Sequence, residues 1–472
     1  MAGNIAQLIQ TVRNRYGSRT VITDPAEIEP WLTDWRGRYH GKAQAILAPA
    51  STEEVAGIMH LAAEHRVPLV PQGGNTSMVG GATPPADGLA AILSLRRMNR
   101  IRAVSAESNI AIADSGVILS DLHDQAAAMG RRFPLTLGAK GSCTIGGLTA
   151  TNAGGTQVLR FGTMRSLIAG IEAVLPDGSI HSGLSALKKD NRGYNLDQLL
   201  IGSEGTLAVI TAAALKLVPA IHSRAVAWVG LGNPDDALSL LRFCEGKTDR
   251  IEGFELVPAD CLTLVLDHIP GTRKPLERQH PWNVLIEATA DREEFDPSEL
   301  LKSLLAEALT ANLIEDATIA ANEAQAEAFW KLRDGIAEAE RADGPSAAHD
   351  ISVPVSDMPR FITEAAAAVE AAFPGTRASA FGHLGDGNVH FHVRGPAGSG
   401  ADWLEAAGPP ILRFVDDLIT EYGGSISAEH GIGQMKRTEL ERLGNPGDLA
   451  AMRAIKHALD PLGIMNPGKL VG

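Results

Sequence analysis

The chain has 472 residues, of which 44% are hydrophobic and 21% charged, and its formal net charge is -14. A chain of this length exceeds what one hydrophobic core holds, so two or three domains are expected. The net negative charge repels phosphate backbones and anionic lipid, which argues against nucleic-acid and membrane-surface roles. The 3 cysteines are too sparse and unpatterned for a disulfide framework or a cysteine-based metal site.

The N-terminus, MAGNIAQLIQTVRNRYG, has no apolar run of signal-peptide length, and no stretch of the chain is apolar enough to predict a transmembrane segment. A cytoplasmic location is therefore the expectation.

In chain order, residues 1–37 predict a helix followed by a polar segment. From Ala43 to Pro219, short apolar runs alternate with glycine-rich turns. AILAPAS, EEVAGIMHLAAEH and VPLVPQGG predict a strand, a helix with an apolar stripe, and a strand. Further strands are predicted at AAILSL, NIAIADSGVI, AGIEAVLPDGSIHSG and TLAVITAAALKLV. The pattern indicates an α+β fold rather than strict βαβ repetition.

A second region starts near His222. AVAWVGL, PDDALSLLRFCEG, IEGFELV and WNVLIEATA predict strand, helix, strand and strand. Asp296 is a candidate N-cap of the next helix, and Pro297 is suited to its first turn. One long helix is predicted from about Ala321 to Ala342, followed by the strand HDISVPVS, a helix and a hairpin. ADWLEAAGPPILRFVDDLITEYG is predicted helical with a Pro-Pro interruption, and the tail is one helix and a loop.

Three segments are rich in glycine and in hydrogen-bond donors: PQGGNTSMVGG (71–81), LGAKGSCTIGGLTATNAGGTQVLRFG (137–162) and GSEGTLAVIT (202–211). Successive backbone N–H groups in such loops form nests for phosphate or pyrophosphate. One of them alone is equally compatible with a ligand-free turn, but three together indicate a large ligand threaded among backbone amides. None fits the nicotinamide fingerprint or a P-loop.

These segments and the terminal NPGKL resemble the FAD-binding motifs of the vanillyl-alcohol oxidase (PCMH-type) superfamily. Within it they are similar to the D-lactate, D-2-hydroxyglutarate and glycolate dehydrogenase branch. The resemblance implies a two-subdomain α+β FAD-binding domain over residues 1–219, with its core at about 40–219. It also implies a substrate-binding cap with an antiparallel sheet over residues 220–425, and a C-terminal segment over 426–472 that returns to the flavin.

The resemblance also implies which residues contact FAD. The first loop would hold the pyrophosphate, the second the flavin and ribitol, and the third the adenine side, while one C-terminal residue reaches the flavin. Some superfamily members attach FAD covalently through a histidine of the first loop, where this chain has Asn75, so noncovalent FAD is predicted. The expected contacts are Pro71, Gln72, Gly73, Gly74, Asn75, Thr76, Ser77, Pro134, Thr136, Leu137, Gly138, Gly141, Ser142, Thr144, Ile145, Gly147, Asn152, Gly154, Gly155, Glu204, Gly205, Ile210 and Asn466.

FGHLGDGNVHFHV (381–393) places His383 and His390 on either side of a turn, and His392 shares a strand face with His390. Such a pair is by itself more often structural than metal-binding. SAEHGIGQ adds Glu429 and His430, and two imidazoles with one carboxylate make a plausible divalent site. Both motifs resemble the metal motifs of the family, which implies His383, His390 and Glu429 as ligands of Zn²⁺, with Mn²⁺ or Fe²⁺ as alternatives.

A 2-hydroxy acid chelates such an ion through its hydroxyl and carboxylate, and Lewis-acid contact lowers the hydroxyl pKa. His430 is then the expected base that takes the hydroxyl proton while hydride passes to flavin N5. The other interpretation of His430 is a structural contact to the flavin.

In AQAEAFWKLRDGIAEAE, Arg333 lies in the middle of an apolar helix face formed by Ala326, Phe329, Trp330, Ile336 and Ala337. A guanidinium directed inward needs an anion. A structural carboxylate would satisfy it. The family resemblance instead implies a bidentate clamp on the substrate carboxylate.

Three positions depart from the D-2-hydroxyglutarate pattern: Ala337, Ala348 and His392 stand where that branch typically has Thr, Lys and Asn. His392 is retained as a substrate contact. His392, His349 or Arg360 could replace the missing cation, or the substrate has no distal carboxylate, which brings in D-lactate and D-malate.

The resulting hypothesis is an FAD- and metal-dependent D-2-hydroxy acid dehydrogenase that passes electrons to electron-transfer flavoprotein or a quinone rather than to NAD. The alternatives are a redox-neutral flavin-dependent transferase of the same superfamily and a noncatalytic flavoprotein subunit of a glycolate-oxidising complex. The assembly is left open, with a homodimer among the options.

Overall fold

The computed structural model describes residues 4–185, 187 and 189–471. The chain divides into two compact units. The first comprises Met1–Gly155, Phe161–Ala220 and Glu429–Gly472, and the second comprises Thr156–Arg160 and Ile221–Ala428. The polypeptide therefore leaves the first unit after Ala220 and supplies its last segment from Glu429 onward.

Up to Pro219 the elements are short, and 3-10 turns at Ser18–Thr20 and Glu29–Trp31 accompany them. They are α1 (Ile5–Tyr16), β1 (Val21–Ile22), α2 (Pro25–Ile28), β2 (Ile46–Leu47), α3 (Thr52–His65), β3 (Leu69–Gln72), β4 (Ala91–Ser94), β5 (Ile101–Ser105), β6 (Ile110–Asp114), α4 (Leu119–Ala127), β7 (Arg131–Arg132), α5 (Ile145–Thr151), α6 (Val158–Phe161), α7 (Met164–Leu167), β8 (Ile168–Val174), β9 (Ile180–Ser182), α8 (Leu196–Leu200), β10 (Val209–Lys216) and β11 (Val218–Pro219).

The first unit contains a four-stranded sheet in the order β1-β2-β4-β3 and a five-stranded antiparallel sheet in the order β5-β6-β10-β8-β9. Strands β2, β4 and β3 run parallel to one another. Ser51 caps α3 by accepting the N–H of Glu54, and the helix buries Val55, Ile58 and Met59 in one of the unit's cores. Leu69 of β3 belongs to the same core, and β3 ends at Gln72, within the first glycine-rich segment.

The second unit is built from longer elements, with a 3-10 turn at Val355–Asp357. They are β12 (Ser223–Leu231), α9 (Pro234–Glu245), β13 (Ile251–Pro258), α10 (Ala259–His268), β14 (Trp282–Ala290), α11 (Pro297–Thr310), β15 (Asp316–Ile319), α12 (Glu323–Asp334), α13 (Ile336–Asp343), β16 (Ser346–Ser352), α14 (Met358–Ala372), β17 (Arg377–His383), β18 (Asn388–Arg394) and α15 (Ala401–Glu421).

These strands form one seven-stranded antiparallel sheet in the order β15-β12-β14-β13-β17-β18-β16. Its two faces carry separate clusters of buried apolar side chains, one of them formed with α10, α12 and α13. The chain then returns to the first unit with α16 (Arg437–Leu443) and α17 (Pro446–Leu459). There Met465 forms a parallel bridge with Leu69 of β3.

The antiparallel sheet of the cap and the helix that starts at Asp296 and Pro297 are confirmed. Two helix predictions are wrong. The single helix expected over about 321–342 is two helices, α12 and α13, which meet at Gly335. The Pro-Pro interruption is absent, since α15 runs through Pro409 and Pro410. The two prolines remove only two backbone hydrogen-bond donors. The helix continues because Ile411, Val415 and Ile419 on one of its faces are buried in the core.

Candidate functional site

The first unit contains a cavity of about 660 Å³ that all three glycine-rich segments line. Glycines of all three segments are on its wall, so backbone from each segment lines one space, as the sequence predicts for a large polar ligand. The predicted FAD contacts on its wall are Pro71, Gln72, Gly73, Gly74, Asn75, Thr76, Ser77, Leu137, Gly138, Ser142, Thr144, Gly147, Gly154, Glu204, Gly205 and Ile210.

The first two glycine-rich segments are packed directly against each other. A Cβ added at Gly74 would lie 2.0 Å from the carbonyl oxygen of Ser142, so only glycine permits this approach. Within the first loop, the Ser77 hydroxyl accepts the N–H of Gly81 at 3.2 Å. The second segment, interpreted from its sequence as loop, contains helix α5, which Thr144 caps by accepting the N–H of Gly147 at 3.4 Å.

The remaining predicted FAD contacts lie outside the lining of this cavity: Pro134, Thr136, Gly141, Ile145, Asn152, Gly155 and Asn466. Ile145 is fully buried in a core cluster. Asn152 ends α5 in the left-handed conformation, and its Oδ1 accepts the N–H of Arg165 at 2.9 Å. For Thr136, Gly141, Ile145, Asn152 and Gly155, a direct neighbour in sequence lines the cavity.

Asn466 braces loops of the first unit. Its Nδ2 donates to the carbonyl oxygens of Gly81 at 3.0 Å and Glu204 at 2.8 Å, and the residue is 2% exposed. It therefore ties the first and third glycine-rich segments together through the C-terminal segment.

Sequence reasoning missed several wall residues because they carry no motif of their own. Ser115 follows β6, and Leu95 follows β4. Trp35 lines the cavity although 65% of its surface is exposed. Gly146, which belongs to the second glycine-rich segment, also lines it.

Glu429 and His430 line the same cavity as the three loops. Their loop is held by Glu204, whose Oε1 accepts the N–H of Ile432 and whose Oε2 accepts the N–H of Gly433, each at 2.7 Å. Gly431 has φ +80°, and a Cβ there would lie 2.8 Å from Glu204 Oε1. Burial raises the pKa of Glu204, and the two N–H donors oppose that rise.

The histidine hairpin lies in the second unit. β17 and β18 are adjacent antiparallel strands, and the rings of His383 and His390 are 5.5 Å apart between centroids. Asp386 Oδ1 accepts the N–H of Asn388 at 3.0 Å, which shapes the turn. Burial lowers the pKa of His390 well below its usual range, and Arg333 and His383 add to that effect. A neutral imidazole is the protonation state that metal ligation requires.

Glu255 links His383 to Arg333. Its Oε1 lies 2.7 Å from His383 Nδ1, and its Oε2 accepts Arg333 Nε at 2.7 Å. Burial would raise the pKa of Glu255, but the Arg333 and His383 charges outweigh it and lower the pKa to about 2. A carboxylate on Nδ1 fixes the ring and directs Nε2 outward, as it does for metal-bound histidines.

Arg333 points inward, as the helical wheel predicted, with 13% of its side chain exposed. Its partner is a structural carboxylate, Glu255, one of the two interpretations that the sequence left open. Ala337, predicted on the same apolar face, is exposed and lies in α13, beyond the helix break at Gly335. The bidentate clamp on a substrate remains a prediction.

His392 contacts a buried carboxylate. Its Nδ1 pairs with Glu340 Oε2, while Glu340 Oε1 accepts the hydroxyl of Ser379 at 3.0 Å. Glu340 is 1% exposed. This partner lies in α13 and could not be read from the hairpin sequence.

The predicted metal ligands are thus divided between the units, with His383 and His390 in the second and Glu429 in the first. Their joint assignment stays a prediction. Across the described part of the chain, none of the helices combines the length and apolar character needed to cross a membrane.

Comparison with known proteins places the chain in a family. Residues 43–183 match the FAD binding domain, and residues 221–470 match the family of FAD linked oxidases, C-terminal domain. D-2-hydroxyglutarate dehydrogenase, mitochondrial, of Bos taurus is 38% identical over 452 residues, covering 96% of this chain and 81% of the relative. D-2-hydroxyglutarate dehydrogenase of Xanthomonas citri pv. viticola is 35% identical over 449 residues, covering 95% and 93%.

Solved structures share the fold at lower identity. Substrate-bound p-cresol methylhydroxylase superposes with a TM-score of 0.75 at 14% identity, covering 98% of this chain and 96% of that one. An alkyldihydroxyacetonephosphate synthase superposes with a TM-score of 0.74 at 16% identity, covering 98% and 86%. The expected PCMH-type fold is confirmed. By its sequence matches and its fold, the chain belongs to the FAD linked oxidases, in the branch that contains the D-2-hydroxyglutarate dehydrogenases.

Proposed function

We propose that this protein is an FAD- and divalent-metal-dependent dehydrogenase that oxidises a D-2-hydroxy acid to the 2-oxo acid. The observation that carries the proposal is that Glu429 and His430 line the same cavity as the three glycine-rich loops. A base and an acidic ligand would therefore stand where the cofactor binds. The dehydrogenase relatives point to the same chemistry.

The cavity fits FAD in size and in the chemistry of its wall. Its volume of about 660 Å³ lies in the range of cofactor sites. Gly73 and Gly74 line it, and their backbone amides would suit a pyrophosphate. Asn75 lines the cavity and its Nδ2 donates to the Thr33 carbonyl at 2.9 Å, so the wall offers an amide where a covalent attachment needs a histidine. We therefore propose noncovalent FAD.

The donor set on the hairpin fits a divalent ion. His383 is oriented by Glu255, His390 is held neutral, and Zn²⁺ is the first choice for imidazole and carboxylate ligands. Arg333 Nη2 lies 3.4 Å from His383 Nε2, so loading a cation requires the guanidinium to shift from that contact. Glu429 would be the third ligand. Such an ion would polarise the substrate hydroxyl.

Each of the chain's own groups has a role in this proposal. Arg333, whose Nε is bound to Glu255, would hold the substrate carboxylate with its other edge. His430 would accept the hydroxyl proton on a ring nitrogen. When bound, FAD would take the hydride and pass electrons to a carrier such as electron-transfer flavoprotein or a quinone. A cytoplasmic location, the domain limits inferred from the sequence and a homodimer remain predictions.

The test is anaerobic reduction of the bound flavin by D-2-hydroxy acids in wild type and His430→Asn. We expect the variant to keep its flavin absorbance while the reduction rate falls by about 100-fold to 10,000-fold, the usual worth of a general base. His457→Asn, at an exposed position of α17, is the matched control. An unchanged rate of flavin reduction in His430→Asn would show that His430 is not the base. A purified protein without flavin absorbance would contradict the proposed function.

A further inference from the structure

The second unit contains a smaller cavity, with a volume of about 250 Å³, between α10 and the segment 274–283 that leads into β14. None of its wall residues lines the cavity of the first unit or belongs to the histidine hairpin. The volume lies just below the range of about 300–1,000 Å³ that is typical of drug-sized ligands. The space therefore suits a smaller molecule, at a place that the proposed reaction does not use.

The helical wall of this cavity is largely apolar. Ala259, Leu262 and Leu266 of α10 line it at positions i, i+3 and i+7, which share one face of a helix. Pro275 and Leu276 add apolar surface from the facing segment. Such a wall would take the carbon skeleton of a ligand out of water.

The facing segment is tied to the packed core. Leu276 is 8% exposed and belongs to the apolar cluster that α10, α12 and α13 form with the sheet. His280 is 2% exposed, and its Nδ1 lies 2.9 Å from Glu315 Oε2. Its ring is packed so closely on β12 that a Cβ added at Gly230 would lie 2.3 Å from His280 Cδ2. Both walls of the cavity are therefore parts of the folded core region.

The charged side chains on the wall are unbalanced. Lys274 and Arg278 stand with a single carboxylate, Asp267, and all three residues are exposed. None of these three side chains forms a hydrogen bond or a salt bridge with another residue in the described part of the chain. The chain as a whole has 56 acidic and 42 basic residues. Two cations without carboxylate partners in one cavity of such an acidic chain favour an anionic ligand.

We propose that this cavity binds a small organic monoanion that has an apolar body. Lys274 and Arg278 would contact its charged group, while the face of α10 would contact its carbon skeleton. Because Asp267 offsets one of the two cations, one negative charge on the ligand matches the wall better than two. The site goes beyond the proposed dehydrogenase reaction and does not depend on it.

Isothermal titration calorimetry of the flavin-containing protein with benzoate tests the proposal. Wild type should bind benzoate with a Kd of about 1 mM or below, which is within the efficiency range of small ligands. Benzyl alcohol has the ring without the charge, and inorganic phosphate has charge without a carbon body. Each should bind about tenfold more weakly than benzoate, since each lacks one of the two contacts.

Variants of the wall locate the binding. Lys274→Met combined with Arg278→Met should weaken benzoate binding by about tenfold, the joint effect of two solvent-exposed charge contacts. The matched control is Arg273→Met, which removes an exposed cation beside the same segment that is not on the wall. Its affinity should equal that of wild type. Leu262→Trp, which places an indole in the cavity, should abolish binding while the circular dichroism spectrum stays that of wild type.

Arg333→Ala separates this cavity from the candidate active site, because benzoate bound in the cavity should keep its affinity in that variant. Affinity lost in Arg333→Ala but kept in the Lys274→Met and Arg278→Met double variant would overturn the proposal. So would equal affinities for benzoate and either benzyl alcohol or phosphate, or no binding of benzoate by wild type. Flavin reduction is not measured in these titrations, so a failure of the proposed function would be a separate result.

Discussion

At the scale of single residues, Glu204 is the group whose role the sequence concealed. The sequence placed it in the third glycine-rich segment, near the adenine, yet its two oxygens hold the N–H groups of Ile432 and Gly433. We infer that it is a positioning residue for Glu429 and His430, which precede those amides. The separation of 225 residues between Glu204 and Glu429 shows why no local pattern could reveal it.

Replacing Glu204 by Ala should therefore misplace the loop that carries His430. The substitution removes the acceptor of one buried and one partly buried N–H group, which costs on the order of 3 kcal/mol of stability. Turnover should fall by about 100-fold, the effect of moving a reacting group by about 1 Å. Thermal unfolding and anaerobic flavin reduction measure the two effects.

The matched control for Glu204 is Glu54→Ala, since Glu54 also accepts a backbone N–H, that of Ala50 at 2.8 Å. Glu54 is not among the residues on the cavity wall, so turnover should be preserved in the control. If Glu204→Ala lowers stability but reduces its flavin at the wild-type rate, Glu204 is structural only.

Lys469 predicts a pH dependence of stability. It is 2% exposed, and burial, reinforced by Arg437, lowers its pKa to about 8. The unfolded chain, with a lysine pKa of about 10.4, binds more protons between these values, so the free energy of unfolding should rise with pH from about 8 to about 10.4. Lys469→Met should remove that rise and stabilise the protein at pH 7 by up to roughly 3 kcal/mol.

Thermal unfolding between pH 7 and 10 measures the effect of Lys469, with Lys216→Met as an exposed control. If the stability of wild type and of Lys469→Met depends on pH in the same way, this interpretation is contradicted.

Arg333 shows what the sequence could predict about a single side chain. Helical spacing was sufficient to predict that its guanidinium points inward and needs an anion. It could not name Glu255, which lies 78 residues earlier on a neighbouring strand. The sequence thus predicts that the guanidinium needs an anionic partner, but only the folded structure identifies which residue it is.

At the scale of elements, the hairpin depends on its tight turn. Gly387 has φ +78°, and a Cβ there would lie 2.2 Å from the carbonyl oxygen of Val353. Gly387→Ala should cost more than the about 1–2 kcal/mol of the left-handed conformation, because the backbone must also move. We expect turnover to be lost together with bound metal, measured by metal analysis of the purified protein.

Gly398→Ala separates the two contributions to the cost of Gly387→Ala. Gly398 has φ +82° in the same unit, with nothing within 4 Å of an added Cβ. Gly398→Ala should lower stability only by the cost of the left-handed conformation, and its turnover should be unchanged. Equal effects of both substitutions would show that the clash with Val353 is unimportant.

Short apolar runs between turns predicted the longer strands of both units, because these strands are largely buried, as in Val209–Lys216 and Ile251–Pro258. The misjudged elements are those where tertiary packing overrides local preference. Helix α5 forms despite its glycines, since a Cβ at Gly146 would lie 2.5 Å from that of Ser115 and close packing requires glycine there. Helix α15 passes through two prolines because its apolar face is buried, and Gly335 divides what the periodicity joined.

At the scale of the whole molecule, the functional groups come from distant parts of the chain. The cavity of the first unit combines loops near residues 71–77, 137–154 and 204–210 with Glu429 and His430. The family was readable from these ordered motifs and is confirmed by the comparisons. The motifs did not identify the substrate.

The most direct test of the account is the absorbance of the bound flavin when D- and L-2-hydroxy acids are added without oxygen, before and after metal removal by a chelator. We expect that a D acid bleaches the flavin, that its L enantiomer does not, that chelation abolishes bleaching and that Zn²⁺ restores it. Undiminished bleaching in protein shown by metal analysis to be free of divalent ions would contradict it.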